Sequence, residues 1–177
     1  MKMNKTLLAV AMVMGLSSLA HAADQGHGKV TFTGSIIDAP CSINPDSIDQ
    51  TVEMGAISNV ALASGGKSPV RNFAINLEGC SFGTPATNNK VTVTFTGAES
   101  SAVPGLLGIS GSAQGAGVAV TEENGKVIKL GEPTTAQTLS DGDNTLNFAA
   151  YLQGATASNA IVPGDFTSVA NFTLAYN

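Results

Sequence analysis

Few side chains in this sequence have the type or spacing that chemistry requires. Cys41 and Cys80 are its only two cysteines. In an exported chain an even pair reads most simply as one disulfide, closing a loop of about 40 residues and stabilising the fold by roughly 3 to 4 kcal/mol. A metal pair and a catalytic thiol are the alternatives, although two cysteines and one distant histidine make a poor zinc site. His27 sits between glycines, where nothing fixes it as a base or ligand, and it reads as a solvated linker residue. Asp141, Asp143 and Thr145 begin like a calcium loop, but Leu146 stands where such a loop needs glycine and Leu152 where it needs a bidentate glutamate. Gly65-Gly66-Lys67-Ser68 lacks the upstream glycine and strand-to-helix context of a phosphate loop and reads as a surface turn. Asn171-Phe172-Thr173 matches a glycosylation acceptor but falls inside a predicted strand. No nucleophile, base and orienting residue come together, so neither an enzyme nor a cofactor or metal site is expected.

The first 22 residues have the parts of a secretory signal: Lys2 and Lys5, an apolar run over residues 6–19, and small residues around Ala20 and Ala22. The run is about 14 residues long, short of the ~20 that span a bilayer, so cleavage before Ala23 is expected, with no membrane span in the mature chain. Cleavage removes two of eight basic residues and leaves six against thirteen acidic ones, taking the net charge from −5 to −7. That balance argues against a nucleic acid partner.

The remaining length suits one domain, rich in Gly, Thr, Ser, Ala and Val, with short alternating runs between turn signals. Phe73, Ile75 and Leu77 alternate with polar or small residues over 72–78, and Val91, Val93 and Phe95 alternate with threonines over 91–96. Each predicts a strand with one buried face. Residues 118–121 and 127–130 flank Asn124-Gly125, a strong hairpin turn, in which Glu122 and Glu123 read as turn solvation. Further strands are expected over 146–152 and over about 165–176, and no sustained helical stripe appears outside the signal. The architecture expected is a β-sandwich.

Two segments fit a closed sandwich badly. In residues 28–37 the side chains of Gly28, Val30, Phe32, Gly34 and Ile36 share one face, behind a small polar tail. This is a strand, but alternation cannot say whose sheet it joins. The terminal run places Phe172, Leu174 and Tyr176 on one face up to the chain end. An apolar strand left at a sheet edge invites aggregation unless something pairs with it.

At these residues the sequence resembles the major subunits of chaperone/usher fimbriae, of the P-pilus and MR/P type. The match is carried by Gly-Lys-Val-Thr-Phe-Thr-Gly-Ser-Ile-Ile-Asp-Ala-Pro-Cys at 28–41, by Cys80 after Asn-Phe-Ala-Ile-Asn-Leu-Glu-Gly, and by a terminal motif with Gly164 fourteenth from the end and Tyr176 next to last. The resemblance implies an all-β, incomplete immunoglobulin-like sandwich lacking its final strand, completed by a donor strand from a neighbour or a chaperone. It divides the chain into a cleaved signal at 1–22, an N-terminal extension at 23–38 and a pilin domain at 39–177. It implies Gly28, Val30, Phe32, Gly34 and Ile36 as donor residues, and Gly164, Phe172, Leu174 and Tyr176 as the acceptor groove. The implied partners are identical subunits in a homopolymer, a periplasmic chaperone, an outer-membrane usher and minor pilins. The implied location is a surface fimbrium of a Gram-negative bacterium, with adhesion and biofilm formation as its role. An adaptor or terminator pilin shares the same motifs, a tip adhesin would need an added lectin domain, and a secreted β-sandwich binding module is the remaining alternative.

Overall fold

The structure, a computed structural model, describes residues 27–157 and 161–177, so the predicted signal and residues 23–26 of the predicted extension lie outside the described residues. The chain divides into two units at Ile36/Ile37. In the first, residues 27–36 form no strand or helix, so the strand expected over 28–37 does not form within the single chain, and Val30, Phe32 and Ile36 are 74%, 90% and 104% exposed.

The second unit is a two-sheet sandwich with one small satellite ladder. Its strands are β1 Ser42–Ile43, β2 Arg71–Cys80, β3 Lys90–Thr96, β4 Leu107–Gly108, β5 Ser110–Gly111, β6 Ala116–Glu122, β7 Gln137–Thr138, β8 Gly142–Gly154, β9 Phe166–Thr167 and β10 Asn171–Tyr176. One sheet has the order β1-β2-β8-β6-β4, the opposing one β10-β3-β7, and β5 pairs with β9. All ladders are antiparallel.

The predicted alternations at 72–78, 91–96 and 146–152 fall in β2, β3 and β8. Ile75, Leu77, Val91, Val93, Leu146 and Phe148 are almost wholly buried between the sheets, where Phe148 stacks on Phe73 and meets Phe95 edge-on. Side chains pointing to one face of a pleated strand meet those of the opposing sheet, which is why a period of two in sequence becomes a core in space. The strand β6 departs from this rule: all seven residues are buried, with Val103 and Leu106 packed on Ala119 and on Tyr151 of β8.

Within the second unit, three further expectations need correction. The Asn124-Gly125 turn forms, with Gly125 at φ +83 donating to the Glu122 carbonyl at 2.9 Å. Its second arm does not continue as a strand: after single contacts at Val127 and Ile128 the chain crosses to β3, where the Gly131 amide donates to Phe95 and the Thr134 amide to Val93. The last predicted strand splits, β9 pairing with β5 and β10 with β3. The run Gly65–Ser68 is packed rather than a free turn: Gly154 donates to the Gly66 carbonyl, Ser68 is buried, and a Cβ on Gly66 would strike the Ala61 carbonyl.

Candidate functional site

The strand β10 has one ladder neighbour, β3, and its other edge has none among the described residues. Its register runs from Asn171↔Thr96 to Tyr176↔Val91. Beyond the strand end, Lys90 and Asn177 exchange both N–H···O bonds, at 3.0 and 2.9 Å. Bonded and non-bonded pairs alternate along an antiparallel ladder. Counting back from Asn177, the residues bonded to β3 are Ala175, Thr173 and Asn171, so the N–H and C=O groups of Tyr176, Leu174 and Phe172 point to the open edge. The side chains of the same three residues are half-buried and pack on the core.

A groove of about 1190 Å³ opens beside this edge. One wall is the segment 161–172, the other the segment 47–59, and the floor is made by Phe73 and Ile75 of β2, Val118 and Val120 of β6, and Ala150 and Leu152 of β8. The groove therefore reaches between the sheets. The first wall is held by exchanged bonds between Gln114 and Val162, and by Ser112, whose Oγ accepts from the Asp165 amide at 3.0 Å. Gly164 fits there because a Cβ would strike Ser112 Oγ and stand 2.7 Å from the Ala113 nitrogen.

The opposite wall was not singled out from the sequence. Ser47 Oγ accepts from the Asn76 amide and Gln50 donates to the Ala74 carbonyl, so these side chains occupy positions along β2 where a longer β1 would pair. Past Gln50 the chain belongs to no ladder over residues 51–57, yet Val52 and Met54 are half-buried between exposed Thr51 and Glu53. That alternation was the available signal, and Gly55-Ala56 interrupts it.

Of the residues proposed for the acceptor, Gly164 and Phe172 line the groove, while Leu174 and Tyr176 contribute the outward backbone and pack on the core without lining it. Tyr176 Oη is buried without a hydrogen-bond partner among the described residues, and burial pushes its phenol up. The donor-type residues Gly28, Val30, Phe32, Gly34 and Ile36 all lie in the exposed run 27–36, and a Cβ on Gly28 or Gly34 would meet nothing within 4 Å among the described residues.

The cysteines are bonded to each other, with both residues buried, and this closes the metal and thiol alternatives. The disulfide fixes the start of the domain to the end of β2. Nearby, Asp141 accepts from the Phe82 amide and Asp143 from the Gly79 amide, at 2.9 and 3.1 Å, so both carboxylates cap backbone. Glu122, expected to solvate a turn, is instead buried and accepts from the amide and hydroxyl of Thr135.

Residues 30–177 match the sequence pattern of the fimbrial protein family. The chain is 64% identical over 176 residues to Fimbria A protein of Serratia marcescens, covering 99% of each. It is 56% identical over 180 residues to the major MR/P fimbria protein of Proteus mirabilis, again covering 99% of each. Among solved structures it superposes on a subunit of a chaperone-usher pilus with a TM-score of 0.76 and 35% identity, over 86% of this chain and 97% of the other. The sandwich is thus an incomplete immunoglobulin-like fold with a structural, non-enzymatic role, and the chain belongs to the fimbrial proteins as a structural subunit of a pilus.

Proposed function

We propose that the groove beside β10 receives residues 28–36 of a second copy of this chain, and that repetition of this contact builds the fibre. The observation that carries the reading is the open edge of β10, whose outward backbone groups border a groove reaching the core, in a chain that also carries an exposed apolar strand-like segment. An incoming antiparallel strand that bonds to Phe172, Leu174 and Tyr176 places its bonded residues on the same face as theirs. Gly28, Val30, Phe32, Gly34 and Ile36 then face the core while Lys29, Thr31, Thr33 and Ser35 face solvent. Burying Val30, Phe32 and Ile36 at roughly 1.5 to 3 kcal/mol each contributes about 5 to 9 kcal/mol before ordering costs. No atom of the described residues near Gly34 requires glycine there, which fits a requirement imposed by a neighbour's groove.

Because donor and acceptor surfaces differ, the contact propagates head to tail as an open filament. A subunit whose core is open before assembly needs a temporary partner. A periplasmic chaperone supplying a strand, followed by exchange at an outer-membrane usher, meets that need by β-strand addition. The similarity to a chaperone-usher pilus subunit supports this route, with signal cleavage before Ala23, an extension at 23–38, a domain at 39–177, and the fibre displayed on the surface for adhesion and biofilm growth. The 56% identity to a protein named as a major fimbria subunit favours a rod role over an adaptor or terminator.

Deletion of residues 23–37 tests the reading. The expected product is a folded subunit, held by chaperone, that forms no fibres in electron micrographs. Normal fibres from the deletion would refute strand donation by this segment.

A further inference from the structure

This inference rests on the reading that residues 28–36 of one copy enter the groove of another. Among the described residues, the groove's lining contains three carboxylates, Asp49, Glu53 and Asp165, and no lysine, arginine or histidine. All three residues are exposed, and none forms an ion pair with a described residue. Arg71 approaches the wall at Gly55, 3.4 Å from where a Cβ would stand, without lining the groove. Beyond the rim the same sign prevails: residues 37–177 carry twelve acidic side chains against five basic ones. Two copies meeting at random therefore repel. Within residues 28–37 the one charged side chain is Lys29.

We infer that Lys29 is a specificity-determining residue of the donor strand, guiding it to the anionic groove of the next copy. Charge complementarity of this kind acts mainly on the association rate, because the field extends beyond contact distance and orients the encounter. Lys29 also stands on the solvent face of the incoming strand, so the apolar contacts hold the finished joint and Lys29 governs how fast it forms. The same arrangement disfavours foreign strands bearing acidic residues at this position, which would meet three carboxylates. The range of the effect is set by salt: the screening length is about 10 Å at 0.1 M ionic strength and about 3 Å at 1 M.

The test is the rate at which the purified full-length mature chain forms polymers, followed by denaturing-gel ladders and light scattering at low and high ionic strength. The variants are Lys29→Gln, Lys29→Glu and Glu53→Lys, with deletion of residues 23–37 as the control. Both substituted sites, Lys29 and Glu53, are exposed, so folding is retained, and far-ultraviolet circular dichroism verifies it. At low salt Lys29→Gln is expected to slow polymer formation about three- to tenfold and Lys29→Glu further. At 1 M salt the rates converge, and the final polymer resists dissociation as the wild type does. Combining Lys29→Glu with Glu53→Lys recovers part of the lost rate. Equal rates for wild type and Lys29→Gln at low salt, with the deletion variant inactive, would overturn the guiding role and leave strand donation standing. Failure of the charge swap to recover any rate would also overturn it. Polymer formation by the deletion variant would remove the reading on which the inference rests, and the inference with it.

Discussion

The carboxylate of Glu122 accepts a hydrogen bond from the Thr135 amide at 2.9 Å and another from the Thr135 hydroxyl at 3.0 Å. Glu122 ends β6 in the five-stranded sheet. Thr135 follows Thr134, whose amide and hydroxyl both bond to Val93 of β3 in the other sheet. The pair therefore ties the two sheets together by a route independent of the open β10 edge. Lys126 adds an ion pair at 3.4 Å from within the turn.

Replacing Glu122 by alanine leaves the Thr135 amide without its acceptor, and the expected cost is about 2 kcal/mol in the urea unfolding free energy. The pH dependence has a definite sign. Burial raises the Glu122 pKa, but hydrogen bonds from Thr135 and Lys126 and the charge of that ammonium outweigh it, holding the group below its ordinary value of 4.5. A depressed folded pKa means the stabilisation is fully present above the unfolded value and is lost as pH falls through the folded one. The stability gap between wild type and Glu122→Gln should hold steady at neutral pH and narrow below about pH 4.5. A gap unchanged through that range would refute the ionised clasp.

Gly34→Asn separates assembly from folding. No described residue lies within 4 Å of a Cβ at this position, so the unassembled chain should unfold at the same denaturant concentration as wild type. A larger polar side chain in the tight part of a neighbour's groove should abolish rods. Electron microscopy and denaturing gels of surface material provide the readout, and normal assembly would show that the donor register is different.

Gly164→Ala should behave in the opposite way. Its new methyl group would strike Ser112 Oγ and crowd the Ala113 nitrogen, so the groove wall must shift before any partner arrives. Overpacking of this kind costs typically 1 to 3 kcal/mol. The loss should appear in the unfolding midpoint of the unassembled chain. Unchanged stability would mean that the 161–172 wall yields easily.

The contrast between these two glycines indicates what the sequence could disclose. Strands with one buried face were legible, because Phe73, Ile75 and Leu77, or Val91, Val93 and Phe95, must alternate to fill a core. The sheet that each strand joins was less so: one continuous apolar pattern over 165–176 folds into two strands in two ladders, since alternation encodes a face and not a neighbour. Glu122 looked like turn solvation because its partner lies 13 residues away and is reached only through tertiary folding. The wall at 51–57 escaped notice because Gly55-Ala56 breaks a short alternation, and because a wall that joins no ladder among the described residues leaves no strong strand pattern.

Tyr176 supplies the last prediction. Its hydroxyl is buried and has no partner among the described residues, a state that costs a protein roughly 1 to 3 kcal/mol relative to a satisfied group. Removing the oxygen keeps the ring, its packing on the core and the outward backbone of β10. Tyr176→Phe should therefore stabilise the unassembled chain by about 1 kcal/mol, measured as a raised urea midpoint with an unchanged slope. A lowered midpoint would show that the hydroxyl makes a bond in the free subunit. The phenylalanine side chain also leaves the bonding groups of Phe172, Leu174 and Tyr176 itself in place, so the variant should still polymerise, and fibre yield from the same cells checks that half of the prediction.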